Sequence, residues 1–230
     1  MALRKVARVV AGIVRSHVVG ATLRDEAQMM RMLKEYAESL HPWAVGLSRA
    51  TVLAIANGNL RAFEAALSRG VSQQIGQELR GAMSQSVVGR TAALLQERQV
   101  ALIKSLPIEA GLRAQALARE AVAGGTRATE VAAELARTEE VTEARATLIA
   151  RTETAKANAA ITQARAELVG ATQYMWETAE DGDTRPSHRK MQGQVFSFDD
   201  PPTLEDGMTG NPGEFPNCRC FAVPMLSEAR

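Results

Sequence analysis

The composition of the chain changes near residue 172, and this change limits its fold more than any other feature. The part before it is alanine-rich and holds only two of the eight prolines, Pro42 and Pro107. The other six prolines and six of the nine aromatic residues come after it. Proline interrupts helices, whereas aromatic residues are enriched in strands. We therefore predict an α+β chain, with a long, mostly helical region followed by a small mixed module.

Apolar residues recur at helical spacing throughout the first part of the chain. One stripe holds Met29, Leu33, Tyr36 and Leu40, and another holds Val71, Ile75, Leu79 and Met83. The segment "SLPIEAGLRAQALAREAVAGG" predicts a helix that begins after Ser105, with Pro107 in its first turn. A last long helix is predicted from about residue 140 to about 170.

Three short segments after residue 172 predict strands that form a small sheet. They are "TQYMWETA", "GQVFSF" and "CRCFAVP", and they carry Trp176, Phe196 and Phe221. We expect this sheet to pack on the last long helix, and the long loop 199–217 to be functional or to contact a partner. The predicted division is a helical region, 1–139, and a C-terminal module, 140–230.

Overall composition excludes several classes of protein. The net charge is +1, which argues against a dedicated nucleic-acid coat protein. Apolar residues make up 46% of the chain, so wholesale disorder is excluded. No apolar run approaches the roughly 18–20 residues that span a membrane. Two cysteines are too few for a disulfide scaffold, so a reducing compartment is expected.

The N-terminal segment predicts an amphipathic basic helix. Four basic residues and no acid occur in its first 20 residues: Arg4, Lys5, Arg8 and Arg15. Two interpretations stay open, an ordinary surface helix or a helix that contacts phosphates or an acidic partner. In the second case we expect it to depend on its partner for order, and its deletion to leave the rest folded.

Cys218 and Cys220 are the only cysteines, and three interpretations compete for them. In an extended segment both side chains lie on one face, about 6.6–6.8 Å apart at Cα, so a disulfide would be strained. They can instead bind a metal ion with His188, or pack as reduced thiols while His188 bonds to Asp181 or Asp183. Arg219 would lie on the opposite face, and we expect it to pair with an acid.

An ordered series of motifs runs from residue 150 to 224. It consists of R-x-E and an asparagine on a helix, W-x-x-x-x-D, R-x-x-H, a glycine and a closing P-x-C-R-C. This series resembles the phage Mu F-like family of minor head proteins, also called head morphogenesis proteins. The matching positions are Arg151, Glu153, Asn158, Trp176, Asp181, Arg185, His188, Gly193, Pro216, Cys218, Arg219 and Cys220.

The resemblance implies a structural component of the virion rather than an enzyme. Such a protein would lie inside the phage head near the portal vertex after assembling in the host cytoplasm. Its partners would be the portal protein, capsid or scaffold proteins and packaged double-stranded DNA, with no small-molecule substrate and no membrane span. Some relatives are thought to leave the head with the genome, which implies a role in delivery. In the helical region, residues 1–139, the basic N-terminal helix would face the portal or the DNA.

Two alternatives follow from the same residues. Many relatives have a histidine just before P-N-C-R-C, where this chain has Phe215. Because a fourth ligand is then missing, we expect no cofactor, with zinc as the alternative if an acid or water completes the site. The second alternative is a metal-dependent hydrolase or transferase that uses His188, Asp181, Asp183 and Glu153. No nuclease motif, P-loop or nucleophile elbow accompanies these residues.

Overall fold

The computed structural model describes residues 2–19, 21–67, 87–123 and 127–225. Within these ranges the helices are α1 (Ala2–His17), α2 (Glu26–Ser39), α3 (His41–Leu67), α4 (Val87–Val122), α5 (Ala128–Ala136), α6 (Thr138–Leu168) and α7 (Pro186–Arg189). The strands are β1 (Val18–Val19), β2 (Thr22–Leu23), β3 (Gln173–Glu177), β4 (Val195–Ser197) and β5 (Phe221–Met225). The predicted α+β class is confirmed. The stripe from Val71 to Met83 lies outside the described residues.

The chain forms two compact units, each built from two stretches of sequence. Unit 1 comprises residues 1–47 and 98–149, and unit 2 comprises residues 48–97 and 150–230. The predicted division between residues 139 and 140 follows composition and differs from this grouping, since it falls inside α6. Composition does not reveal the units because α3, α4 and α6 each continue from one unit into the other.

Helix α1 is part of the hydrophobic core of unit 1. Its Val10 and Val14 are fully buried, and they pack in one cluster with Met29 and Leu33 of α2 and Leu135 of α5. The expectation that this helix depends on a partner for order, and that its deletion leaves the rest of the chain undisturbed, is therefore wrong. Valines at helical spacing were correctly interpreted as one apolar face, but that face is covered by the chain itself.

Helix α4 continues through Pro107, so the prediction that a helix begins after Ser105 is wrong. Proline inside a helix removes one backbone hydrogen bond and costs about 3 kcal/mol. Buried neighbours on the same helix, Ile103, Leu106 and Ala110, offset this cost. Tertiary packing here overrides the local preference for a helix start.

Unit 2 contains the predicted three-stranded sheet, which is antiparallel with the order β4-β3-β5. Tyr174 faces Phe196 and Pro224 in the register, and Trp176 faces Ala222. Tyr174 and Trp176 are fully buried in a cluster that also contains Ala166 of α6 and Phe63 of α3. The predicted sheet with Trp176, Phe196 and Phe221 on its strands, packed on the last long helix, is confirmed.

The end of unit 2 differs from the prediction in one respect. Strand β5 begins at Phe221, so Cys218 and Cys220 lie in the segment just before it rather than within it. The loop 199–217 is ordered, because it folds back at Thr203 and Thr209 and buries Leu204 and Phe215 in the core. No helix in the described ranges is long and apolar enough to cross a membrane.

Candidate functional site

His188, Cys218 and Cys220 meet inside unit 2. Nδ1 of His188 lies 3.4 Å from Sγ of Cys220 and 3.5 Å from Sγ of Cys218. All three side chains are buried, with 2%, 5% and 7% of their surfaces exposed. Both cysteines are free thiols. The structure thus brings together the three residues that the sequence proposed as metal ligands, and each offers one ligand atom within 4.8 Å of the others.

Short turns bring these residues to one point. His188 lies on α7, a four-residue helix that begins at Pro186 after Arg185. Arg185 Nη2 also donates to the carbonyl oxygen of Pro216 at 2.8 Å, which ties this turn to the segment with the cysteines. Asn217 has a left-handed backbone with φ of 54°, a conformation that asparagine tolerates better than most residues. The backbone therefore reverses just before Cys218.

Gly213 and Gly193 fill two further positions that require glycine. Gly213 has φ of 94°, and a Cβ there would lie 3.0 Å from Cβ of Ala159 and 3.2 Å from the carbonyl oxygen of Ala155. The small residues of α6 thus let the loop approach the helix closely. Gly193 has φ of 73°, and its N–H donates to Trp176 at 2.8 Å, which starts the turn into β4.

The two sulfurs have different electrostatic environments. The pKa of the Cys218 thiol is lowered to about 5, chiefly by a hydrogen bond from the Cys220 thiol and further by the backbone N–H groups of Cys220 and Gly213. The backbone N–H of Cys220 lies 3.4 Å from Sγ of Cys218. The pKa of Cys220 is raised by its bond to Cys218 and by burial. The two thiols therefore titrate as a pair, and ionisation of one disfavours ionisation of the other.

Aromatic rings surround His188. Between ring centroids, the distance from the imidazole is 4.9 Å to Phe215 and 5.8 Å to Trp176. Both contacts have edge-to-face geometry. Among the described residues, Nε2 of His188 has no hydrogen-bond partner. The interpretation in which His188 bonds to Asp181 or Asp183 is therefore wrong, because Nδ1 faces the two sulfurs instead.

The two aspartates bind Arg219. Its Nη2 lies 2.8 Å from Oδ1 of Asp181 and 3.1 Å from Oδ2 of Asp183. As predicted, Arg219 pairs with acids, and it is exposed whereas the two cysteines beside it are buried. About half of its side chain, 49%, is exposed, so this is a surface ion pair.

The helical part of the motif series lies on α6. Arg151 is exposed and Glu153 is buried, on different faces of the helix. Asn158 accepts a 2.9 Å hydrogen bond from Asn59 of α3 through its side-chain oxygen. Arg151 and Asn158 line a cleft of about 1180 Å³ together with Arg185, His188, Cys218, Arg219 and Cys220. Seven of the twelve motif residues therefore converge on one cleft.

A buried polar cluster below this cleft was not anticipated from the sequence. Arg165 is 1% exposed; its Nη1 donates to Oδ1 of Asn59 and its Nη2 to the carbonyl oxygen of Ala56 at 2.9 Å. Asn59 also donates to Thr162 at 2.6 Å. No pattern in the sequence distinguishes Arg165 from the exposed arginines of the same helix.

The residues of the alternative enzyme hypothesis do not assemble into one site. In the described ranges, the group of histidine, cysteine and acidic side chains close enough to share an ion consists of His188, Cys218 and Cys220. Asp181 and Asp183 are bound to Arg219 instead. In the part of the chain that the structure describes, no carboxylate joins the group of His188, Cys218 and Cys220.

The basic face of α1 is largely paired within unit 1. Arg4 contacts Glu143 at 2.5 Å, and Arg8 and Arg15 both lie 3.6 Å from Glu139. Lys5 is exposed. These ion pairs reduce the positive charge that α1 offers to an external partner.

Part of the chain is similar to known proteins. Residues 114–223 match the sequence model of a family described as "Phage Mu protein F like protein". An uncharacterized protein of Haemophilus influenzae strain Rd is 38% identical over 127 residues, which cover 55% of this chain and 28% of that protein. The match therefore covers less than a third of the length of that relative. No solved structure matches the chain.

Proposed function

We propose, from the match of residues 114–223 to the model of the phage Mu protein F like family, that the whole chain is a minor head protein of a tailed phage. In this role it acts in head morphogenesis near the portal vertex. It contacts the portal protein, capsid or scaffold proteins and packaged double-stranded DNA, and it takes part in genome delivery. The single observation that carries the proposal is the family match over these residues.

The roles of the motif residues support a structural function. Arg185 ties the α7 turn to Pro216, Gly193 forms the turn into β4, and Arg219 bridges two aspartates. Each of these contacts holds unit 2 together. If the chain were a metal-dependent hydrolase or transferase, we would expect the motif residues to present reactive groups to a substrate.

The charge of the chain bears on the choice of partner. Residues 1–175 carry a net charge of about +6 and residues 176–230 about −5, both counted from the sequence. Three arginines of α1 are already bound to glutamates. We therefore place the primary contact on protein, at the portal, and a weaker and salt-sensitive contact on DNA.

Head assembly with and without this chain tests the proposal. The phage head genes are expressed together, heads are purified on a gradient, and the chain is detected by mass spectrometry. We expect a few copies per head, copurification with the portal, and loss of the chain from heads assembled without portal protein. Heads that assemble and fill with DNA normally in its absence, and never contain it, would contradict the proposal.

A binding measurement separates the two partners. Purified portal protein and a duplex DNA of random sequence are each titrated with the full chain at low and physiological salt. Binding to the portal at physiological salt, with DNA binding confined to low salt, is the expected result. Tight DNA binding without portal binding would overturn the assignment of the portal as primary partner.

A further inference from the structure

We propose that His188, Cys218 and Cys220 form a zinc site, with Nδ1 and the two Sγ atoms as protein ligands and a solvent molecule from the cleft as the fourth. The site lies beside the cleft and is independent of the proposed role in the phage head. Its function is to join the α7 turn to the segment before β5.

The spacing of the three donor atoms matches tetrahedral coordination. Zinc binds sulfur at about 2.3 Å and imidazole nitrogen at about 2.0–2.1 Å. At tetrahedral angles these bond lengths place nitrogen and sulfur about 3.6 Å apart. The observed separations are 3.4 Å to Cys220 and 3.5 Å to Cys218. One ion between the three atoms would therefore need only a small adjustment.

The type and burial of the donors favour zinc over other common ions. Two sulfurs and one imidazole nitrogen are soft or borderline ligands, which suit zinc and not magnesium or calcium. All three lie in an apolar shell that includes Phe215 and Trp176. The backbone N–H of Cys220 is directed to Sγ of Cys218, a contact that stabilises a metal-bound thiolate.

Packing alone explains this arrangement less well. A hydrogen bond from one thiol to the imidazole accounts for one short contact, but Nδ1 of His188 lies within 3.5 Å of both sulfurs. The three residues come from two segments about 30 positions apart, brought together by the turns at Pro186 and Asn217. Both segments direct their donor atoms to the same point.

Phe215 explains why the fourth ligand is solvent in this chain. Its ring lies 4.9 Å from the imidazole of His188, so a side chain at this position is next to the site. Phenylalanine has no donor atom, which leaves three protein ligands. A histidine introduced here would be close enough to supply a fourth.

The first experiment measures metal on the full-length wild-type chain. The protein is purified under reducing conditions, stripped with a chelator, titrated with zinc alone, and assayed by elemental analysis after gel filtration. In parallel, Co²⁺ is used as a spectroscopic probe, because thiolate ligands give a charge-transfer band and tetrahedral geometry gives intense d–d bands. We expect one ion per chain and both features. Substoichiometric zinc, or Co²⁺ spectra without thiolate bands, would overturn the proposal.

The second experiment assigns the ligands. Loss of an outer-shell contact weakens metal binding about 10–100-fold. We expect a larger loss of zinc affinity in each of the variants Cys218→Ser, Cys220→Ser and His188→Asn. His41→Asn, at an exposed histidine outside the site, is the matched control and should bind zinc like the wild type. Equal zinc binding by all four variants would refute the assignment.

A gain-of-function variant keeps the test informative if the serine variants fail to fold. Phe215→His should bind zinc more tightly and release it to a chelator at least about tenfold more slowly, because it adds a fourth protein ligand. If Phe215→His binds zinc and the wild type does not, the three native ligands are insufficient to hold the ion, and the proposal for this chain is wrong.

Discussion

Arg165 of α6 donates a hydrogen bond to the side-chain oxygen of Asn59 of α3, at a position where the guanidinium is 1% exposed. A second donor of the same group binds the carbonyl oxygen of Ala56. Within unit 2, a buried arginine therefore links α6 to α3 near the cleft, in addition to the contacts of the apolar core.

Replacement of Arg165 should destabilise unit 2 strongly. In Arg165→Met the side-chain oxygen of Asn59 loses the guanidinium donor, and a buried acceptor left unpaired costs about 1–3 kcal/mol. Urea unfolding followed by circular dichroism measures the loss. Arg151→Met on the exposed face of the same helix is the control, with a change within about 0.5 kcal/mol. Equal effects of the two substitutions would contradict the structural role of Arg165.

Gly213 should tolerate no side chain. Its φ of 94° lies in the left-handed region, and a Cβ would meet Ala159 and the backbone of Ala155. Gly213→Ala is expected to lower the free energy of unfolding by at least about 1–3 kcal/mol. Gly182→Ala, where a Cβ meets nothing within 4 Å, should be neutral or slightly stabilising. A melting temperature unchanged in Gly213→Ala would show that the loop approaches α6 less closely.

Helix α1 should contribute to the stability of unit 1 through its valines rather than its arginines. Val10 is fully buried, so Val10→Ala is expected to cost about 2 kcal/mol from lost burial and the cavity left behind. Arg8→Ala removes a pair whose arginine is 75% exposed, and this should cost about 0–1 kcal/mol. Thermal denaturation of both variants compares them. A larger effect of Arg8→Ala would mean that the ion pairs anchor the helix.

Arg219→Lys should have a small effect. From the sequence, a bidentate pair with an acid would predict a loss of about 1–3 kcal/mol. The structure shows a half-exposed arginine that bridges Asp181 and an 88% exposed Asp183, and exposed pairs contribute about 0–1 kcal/mol. Chemical denaturation at low and high salt measures this contribution, which should shrink as salt screens the charges. A salt-independent loss of several kcal/mol would point to a further role for Arg219.

Acid should weaken unit 1 partly through Glu109. Arg145 donates to its carboxylate at 2.8 Å, and this hydrogen bond is the main reason that the pKa of Glu109 is lowered. A carboxyl group with a lower pKa in the folded state stabilises the protein above its unfolded pKa, and this stabilisation disappears as the pH falls through the folded pKa. Glu109→Gln should therefore be less stable than the wild type at about pH 7, and the difference should disappear as the pH falls through the lowered pKa of Glu109. The difference at neutral pH should stay below about 1 kcal/mol, since both side chains are partly exposed. Parallel curves with no convergence would rule out this contribution.

The elements with local signals could be predicted from the amino-acid sequence. Helical spacing and the aromatic and proline shift at residue 172 predicted the long helices and the three-stranded sheet, including Trp176 and Phe196 on its strands. The alternation around Arg219 correctly predicted buried cysteines and an arginine that faces acids, although β5 begins only at Phe221. These predictions succeeded because the period of apolar residues reports which face of an element is buried.

The contacts between distant segments became known from the three-dimensional structure. It showed that α1 is covered by unit 1, that α4 continues through Pro107, and that His188 faces two sulfurs instead of an aspartate. It also revealed Arg165 and Asn59, which are more than 100 positions apart, as partners. The physical reason is that local patterns record the preference of each segment, whereas a buried polar group is explained only by the partner that folding brings to it.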